Sequence, residues 1–393
     1  MRSSRRWGRS VRSVAANCGT KGRSTRWLRV ELVRWISHVA ITTVPAAAAG
    51  FFPLDQQLAL GDKAWSEEVE RTAVWLSGAV SSYGLVAEVL QRVGQINLAQ
   101  ASIWRSTQAA GTRFCALEEA ERQQANALPE VWTPPSRGEV ADQRMGVAMD
   151  GATMHIRSEG WKDVKLGVVF DVAVLAATDQ VTGESVPTPH AVHNRYVAHL
   201  GGPEVLGEKM WTLARSSGWE QAQDTIVIGD GAPWIWNQAA LHFGQSQQVV
   251  DWYHAKAHLV AAARLLYPED TPAFRRWLNR RETLLYQGQA ETIASQLEAK
   301  ARKDPTKAAA LTTAAGYFRT NYRRMNYLER REELWPIGSG MVESAAKQFK
   351  ARFAGPGMRW SRQGAEHLLP IRAAVLSHRF DTMWLKAKNL PQL

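Results

Sequence analysis

Cysteine is scarce in this chain. Only Cys18 and Cys115 occur among 393 residues and no Cys-x-x-Cys pair is present, so neither a zinc finger nor a disulfide framework is supported. No apolar run reaches the roughly 18 residues that a membrane-spanning helix needs. No apolar stretch closely follows the Arg5-Arg6 pair, so an export signal is not predicted. These absences predict a cytoplasmic protein with no membrane partner.

Acidic residues are outnumbered by basic ones. The chain has 48 Lys and Arg against 37 Asp and Glu, and its formal net charge is +11. This surplus favours a polyanionic partner, nucleic acid before a membrane surface, and the alternative is a basic enzyme without such a partner. The hydrophobic fraction of 45% is typical of a protein with a buried core.

Composition and periodicity divide the chain into segments. Residues 1–55 form a basic arm that we expect to be poorly structured, either lying along phosphates or solvated. Residues 56–117 show the layout of helix, short turn and helix, which fits a helix-turn-helix DNA-binding domain or a small bundle for dimer contacts. The other predicted segments are a polar linker at 118–144, an α/β domain formed by 145–266 and 338–393, and a charged helical insertion at 267–337.

The predicted helix-turn-helix ends in a segment with long polar side chains. This segment runs from Leu98 to Ala110 and carries Gln100, Arg105 and Gln108. Such side chains can reach the edges of bases in the major groove. We therefore predict that these three residues contact DNA.

The α/β domain shows a characteristic order of elements. Its pattern predicts three strands, a helix, the buried strand Asp224 to Ile228, a helix, and a last strand near Val250. This order is expected of a ribonuclease-H-like fold. The predicted fold class is therefore a ribonuclease-H-like α/β catalytic domain with a helical insertion, preceded by a small all-α domain.

Three acids lie at the ends of predicted elements. Asp150 ends the first strand, Asp230 follows the fourth, and Glu343 lies near the start of a helix. Carboxylates at the carboxyl ends of strands point into the crevice where open α/β sheets hold ligands. Three oxygen donors without a His or Cys ligand suit Mg²⁺ or Mn²⁺, and a pair of such ions catalyses phosphoryl transfer. Each acid alone also has an ordinary explanation, either as an Asp-Gly turn or as a helical pair with Lys347.

Three linked motifs resemble bacterial insertion-sequence transposases of the ISKra group. They are Ile228-Gly-Asp-Gly-Ala-Pro-Trp-Ile-Trp236, Val250-Asp-Trp-Tyr-His-Ala255 and Gly338-Ser-Gly-Met-Val-Glu-Ser344. The resemblance covers residues 51–380 and implies a DDE catalytic triad made of Asp150, Asp230 and Glu343. Before Phe51 the chain departs from the group, whose members usually carry cysteine pairs there. A degenerate or out-of-frame arm explains this departure.

The resemblance also indicates supporting residues. Asp251 and His254 match an Asp-or-Cys, two residues, His element of related transposases, so His254 either contacts DNA, supports the site or is a core histidine. His254 and His258 have i,i+4 spacing, but zinc is not predicted because the acid of an HExxH motif is missing. The candidates for holding DNA phosphates near the metal ions, against the alternative of a solvated surface, are Lys347, Lys350, Arg352, Arg359 and Trp360.

The expected function is therefore a DDE transposase. It would bind the inverted repeats of its element as a homo-oligomer, cleave there, and join the 3′-OH ends to target DNA with Mg²⁺ or Mn²⁺. One alternative is a nuclease of the same fold without strand transfer. The other is an inactive, transposase-derived DNA-binding protein.

Overall fold

The structure is a computed structural model that describes residues 25–27, 38–40, 65–126, 143–178, 183–269 and 271–390. The chain divides into two compact units after Glu70. In the first unit, β1 (Thr25–Trp27) and β2 (His38–Ala40) pair antiparallel. The predicted basic arm therefore contains a short strand pair, and the rest of that arm lies outside the described residues.

A mixed five-stranded sheet organises the second unit. In sheet order its strands are β5 (Ser185–Leu200), β4 (Gly160–Thr178), β3 (Arg144–Ile156), β6 (Asp224–Gly229) and β7 (Gln247–Val250). The first three pair antiparallel, whereas β6 and β7 run parallel to β3. The prediction of an α/β fold is confirmed at this level. The strand order is compatible with a ribonuclease-H-like arrangement.

Helices pack against strands β3, β4 and β5 of this sheet. The inner strand β6, between β3 and β7, is buried from Ile226 to Gly229, as expected for a strand with both faces covered. The helices before β6 are α1 (Glu67–Ala79), α2 (Tyr83–Gly94), α3 (Gln100–Asn126) and α4 (Pro203–Ser216). Those after β6 are α5 (Pro233–His242), α6 (Trp252–Leu266), α7 (Pro272–Tyr286), α8 (Ala290–Lys303), α9 (Ala308–Asn321), α10 (Tyr327–Glu332), α11 (Gly340–Phe353), α12 (Arg362–Leu376) and α13 (Phe380–Lys388).

Helix α3 is much longer than its sequence pattern predicts. The expected segment ends at Ala110, but the helix continues to Asn126, into the predicted linker. The reason is a buried stripe that extends through Phe114 and Leu117. At Gly111 an added Cβ would lie 2.4 Å from the Cβ of His367, so α3 packs backbone to backbone against α12. No division between a separate helical domain and the sheet appears in the described residues after Arg71.

Two buried arginines tie α1 to the C-terminal helices. Arg352 of α11 donates to the carbonyls of Ser77 (3.0 Å) and Ser81 (3.2 Å), and Arg372 of α12 donates to Gly78 (2.6 Å). Cations at the C-terminal end of a helix satisfy its last carbonyls and its dipole. The prediction that Arg352 holds DNA phosphates is therefore wrong, because its side chain is buried in this role.

The segment predicted as a helical insertion is occupied by α7 to α10. These helices enter the chain between α6 and α11, and they pack on one another and on α6. None of the helices in the described ranges combines the length and apolar character that crossing a bilayer would require.

Candidate active site

Three aspartates lie at one level across the parallel half of the sheet. Ala148 of β3 pairs with Ile228 of β6, so Asp150 lies level with Asp230. The pairing of β6 with β7 likewise places Asp251 level with Asp230. Neighbouring strands are about 4.8 Å apart. The backbones of the three acids therefore lie side by side where β6 and β7 end. The prediction that Asp150 ends the first strand is wrong, because β3 continues to Ile156 through its pairing with β4.

Two members of this row are half-buried and held by local hydrogen bonds. The Gly151 N–H donates to Asp150 Oδ1 at 2.6 Å, and the Ala232 N–H donates to Asp230 Oδ1 at 2.8 Å. In each case one carboxylate oxygen is fixed by the backbone. The second oxygen remains the natural donor to a cation.

Burial raises the pKa of Asp150 above its ordinary value. The hydrogen bond from Gly151 lowers this pKa, the charge of Asp230 raises it further, and the charges of His254 and Lys350 lower it. Both side chains, from α6 and α11, therefore lie close enough to act on Asp150 electrostatically. A half-buried carboxylate with a raised pKa beside a second carboxylate is a site where added positive charge is stabilised.

The third member of the row, Asp251, is fully buried and has a different role. Its Oδ1 accepts from the N–H of His254 at 2.7 Å, which caps α6, and its Oδ2 accepts from the N–H of Ser339. Its own N–H donates to the Gly229 carbonyl at 2.7 Å. Asp251 thus joins the end of β6, the start of α6 and the segment that leads into α11.

Glu343 lies in the first turn of α11, on the segment that Asp251 holds. The Ser339 hydroxyl donates to Glu343 Oε1 at 3.3 Å. Potential ligand atoms of Asp251, His254 and Glu343 all lie within 4.8 Å of one another. In the described part of the chain this is the only group of three or more acid, His or Cys side chains that is this compact.

The compact group differs from the predicted triad. Asp150, Asp230 and Glu343 do not themselves form such a group in the described residues, and His254 takes part where a site without histidine was expected. His254 links the two sets, since it lies beside Glu343 and also lowers the pKa of Asp150. Asp251 already accepts two backbone hydrogen bonds, so we interpret it as the residue that positions His254 and Glu343.

The helical insertion reaches this site through one tyrosine. The Tyr317 hydroxyl of α9 donates to the backbone carbonyl of Asp230 at 3.0 Å. Its ring stacks on His258, with centroids 3.6 Å apart and planes 15° apart. Gly231 has a φ of 101°, and a Cβ there would lie 2.8 Å from Cε2 of Tyr317. Glycine thus permits both the left-handed turn and the close approach of the ring.

The predicted phosphate-binding residues separate into two groups. Lys347, Lys350 and Arg359 are exposed, and of these Lys350 acts on the pKa of Asp150. Trp360 instead has a structural role. Its backbone bonds to the end of β3, its indole N–H donates to the Phe353 carbonyl at 2.9 Å, and its ring packs on Phe353. Trp360 is half-buried, and its contact with DNA stays a prediction.

The predicted DNA-reading side chains of α3 also separate. Gln100 and Arg105 are exposed, and Arg105 donates to Ser102 Oγ at 3.2 Å. Gln108 is half-buried between helices, and its Oε1 lies 3.1 Å from Nδ1 of His367. Because Gln108 faces α12, it does not reach a base edge, and its predicted role is wrong. Gln100 and Arg105 stay predictions.

Comparison with known proteins gives one family match. The model of an uncharacterised protein family, UPF0236, matches residues 193–385, just under half of the chain. The matched segment includes Asp230, Asp251, His254 and Glu343, and it begins after Asp150. No curated protein matches the chain. Most residues of the candidate site therefore lie in the segment that matches this family, and the match assigns no activity to them.

Two residues of the site escaped prediction. Tyr317 lies 87 residues from Asp230 in sequence, on a helix with no motif that distinguishes it. Ser339 lies in the Gly338–Ser344 motif. Only the fold shows that its N–H donates to Asp251 and its hydroxyl to Glu343. A Gly-Ser-Gly sequence before an acidic helix start is a weak signal of this kind.

Proposed function

We propose that this protein is a DDE-type transposase, a metal-dependent enzyme that transfers phosphodiesters of DNA. The observation that carries the proposal is the row of Asp150 and Asp230 at one level on adjacent parallel strands, with Glu343 close to Asp251, the next member of that row. In open α/β sheets, ligands bind at the carboxyl ends of parallel strands. The strand order supports a ribonuclease-H-like fold, and the linked motifs that resemble ISKra-group transposases support the same activity.

The donor set fits a divalent cation. Asp150 and Asp230 each have a carboxylate oxygen beyond the one that accepts a backbone hydrogen bond. The raised pKa of Asp150 reflects burial together with a nearby negative charge, which a cation would relieve. Asp150, Asp230 and Glu343 would hold Mg²⁺ or Mn²⁺, with His254 at the edge of the set. Such an ion would activate the attacking oxygen and stabilise the leaving one.

The protein's own residues supply position and charge. Asp251 keeps His254 and Glu343 in place through two backbone hydrogen bonds. Lys350, exposed on the same helix as Glu343, offers a positive charge to a phosphate next to Asp150. Tyr317 fixes the backbone of Asp230 from the side of the insertion. The donors are thus preorganised before substrate arrives, which lowers the cost of reaching the transition state.

The experiment is end cleavage in vitro with Mn²⁺. The substrate is a plasmid that carries the DNA flanking the gene, and the wild type is compared with Glu343→Gln. The control is Glu332→Gln, an exposed glutamate on α10 with the same chemical change. We expect Glu343→Gln to lose at least about a hundredfold in cleavage rate and the control to keep it. Equal cleavage by the two variants would refute a role for Glu343.

The two rivals give different results in the same assay. A nuclease without strand transfer cleaves but yields no joined product when a labelled end and a supercoiled target are supplied. An inactive, transposase-derived protein binds DNA equally with and without Mg²⁺, and Asp150→Ala leaves its behaviour unchanged. Cleavage together with a joined product supports transposition through a synaptic homo-oligomer that holds both inverted repeats.

A further inference from the structure

A strongly basic groove lies on the helical insertion, away from the acids. It is open, has a volume of about 630 Å³, and is formed mainly by α7 and α8. Its cationic lining residues are Arg276, Arg280, Arg281 and Lys300, and Tyr267 and Trp277 are the aromatic ones. No carboxylate lines it. A groove of this size and charge suits an extended polyanion better than a single small ion.

Two of these cations, Arg276 and Arg280, are placed where they do not stabilise their own helix, α7. α7 begins at Pro272 and has no acidic residue in its first turn, although the positive end of the helix dipole favours one there. Arg276 and Arg280 are a like-charge pair at i,i+4, which also weakens a helix. Both are exposed, and neither forms an ion pair within the described residues. Helix stability therefore does not explain this placement, whereas an anionic ligand does.

The groove is built around its aromatic residues. The guanidinium carbon of Arg281 lies 5.0 Å from the ring centroid of the buried Trp277, and Nζ of Lys300 lies 5.8 Å from that of Tyr267. Arg281 is further fixed by donating to Gln296 Oε1 at 3.1 Å. Burial, and after it the charge of Arg280, lower the pKa of Arg281, whereas Tyr267 raises it, so Arg280 lies close enough to act on Arg281. Two of the four cations are thus oriented before any ligand binds.

The groove and the candidate active site are separated by a distance that a short stretch of duplex DNA can span. Both are attached to α6, the site at its beginning through His254 and the groove just after its end through Tyr267. Thirteen residues of helix at 1.5 Å each span about 20 Å. That distance corresponds to roughly 6 base pairs of B-form DNA at 3.4 Å each.

We propose that this groove binds the sugar-phosphate backbone of the duplex whose cleaved strand lies in the active site, about 6 base pairs from the reacting phosphodiester. The choice of DNA as the occupant rests on the proposed function. Lys and Arg contacts to phosphates fix the register of a protein on a duplex without reading its sequence. The insertion would then serve as a clamp that positions DNA for the acids.

The test measures binding of a labelled duplex of about 30 base pairs and arbitrary sequence, in EDTA, across a range of salt concentrations. The variant is Arg276→Gln/Arg280→Gln/Lys300→Gln in the full chain. The control, Lys307→Gln/Lys386→Gln/Lys388→Gln, removes three exposed charges elsewhere. We expect the groove variant to bind about tenfold or more weakly, with a salt slope smaller by about 2–3, since each phosphate contact contributes about 0.9. The control should change both values much less.

A charge-preserving variant guards against a folding artefact. Arg276→Lys/Arg280→Lys should recover most of the affinity, and all variants should keep the wild-type thermal midpoint. Equal losses in the groove variant and the control would overturn the proposal, because they would show an effect of net charge alone. So would an unchanged salt slope. Binding in EDTA does not require cleavage, so intact binding with no cleavage would count against the proposed function and leave the clamp standing.

Discussion

The two halves of the sheet are built for different purposes. The antiparallel half, β3 to β5, has strands of 13, 19 and 16 residues with nearly continuous pairing. The parallel half adds β6 and β7, of 6 and 4 residues, and both end at the level where β3 carries Asp150. Long antiparallel hairpins stabilise the sheet through many paired residues. The short parallel strands β6 and β7 end at the same level, so the segments that follow them lie side by side. The candidate chemistry lies where β6 and β7 end beside the middle of β3.

The acids of the two halves give the sharpest contrast and the largest expected effect. Asp171, in the antiparallel half, bonds to the guanidinium of Arg195 at 3.1 Å through both oxygens and has a closed environment. Asp230 is half-buried and has no such cation partner in the described residues, and its Oδ1 accepts from the Ala232 N–H. Asp230→Asn should reduce DNA cleavage about a thousandfold while barely changing the unfolding midpoint. Asp171→Asn should leave cleavage intact and lower stability by about 1 kcal/mol or less, after discounting for solvent screening.

Single-turnover cleavage and urea unfolding measure these two quantities. The comparison of the halves would fail if Asp171→Asn reduced cleavage as strongly as Asp230→Asn does. It would also fail if Asp230→Asn mainly unfolded the protein. Either result would mean that the parallel half does not carry the chemistry while the antiparallel half provides stability.

A smaller effect concerns the support that the parallel half receives from the insertion. Tyr317→Phe removes the hydrogen bond to the Asp230 carbonyl and keeps the stacked ring on His258. The loss of one such bond is worth about 1 kcal/mol. We expect the cleavage rate constant to fall about fivefold, with DNA affinity unchanged, because the hydroxyl holds the acid's backbone and not the substrate.

Tyr322→Phe is the matched control, since its hydroxyl accepts a hydrogen bond from Arg323 and lies on the same insertion. It should leave the rate constant unchanged. A weaker affinity without a slower step in Tyr317→Phe would assign this tyrosine to DNA binding and contradict a positioning role.

The smallest effect belongs to the antiparallel half and depends on pH. Burial, with nearby Lys209, Arg122 and Arg362, lowers the pKa of His199 on β5 from 6.5 to about 4. The unfolded chain therefore binds this proton more readily than the folded one. The stabilising contribution is complete above pH 6.5 and is lost as the pH falls towards 4.

His199→Gln should accordingly lose less stability than the wild type between pH 6.5 and pH 4, the two ends of the shift. Because the side chain is only partly buried, the difference should be about 1 kcal/mol or less. Urea unfolding at several pH values measures it. Parallel curves for the two proteins would show that His199 is not responsible for any acid sensitivity of this half.

The sequence predicted the elements better than their assembly. The continuous apolar run before Asp230 is diagnostic of a buried strand, and the helical spacing of the insertion is equally clear. The end of α3 was missed, since a polar composition after Ala110 conceals the buried Phe114 and Leu117. Sequence periodicity detects the apolar face of a helix. It does not show where α3 ends, because that end depends on the packing of α3 against α12.

Site residues divide in the same way. Asp150, Asp230 and Glu343 stand in recognisable sequence contexts, so they could be proposed from the chain alone. The burial of Arg352, the inward turn of Gln108 and the structural role of Trp360 could not, because each depends on a partner more than 150 residues away or on a backbone pairing. Long polar side chains look alike in sequence whether they face DNA or a carbonyl.

What the sequence determined by itself is the local chemistry: an excess of positive charge, few cysteines, and carboxylates that follow apolar runs. What only the tertiary structure decided is which of these groups share a space. Strand register made Asp150 and Asp230 neighbours, the buried carboxylate of Asp251 brought α11 to them, and helix packing gathered four cations into one groove. Local residues set the charge and shape of each element, and distances between elements follow only from burying their apolar faces together.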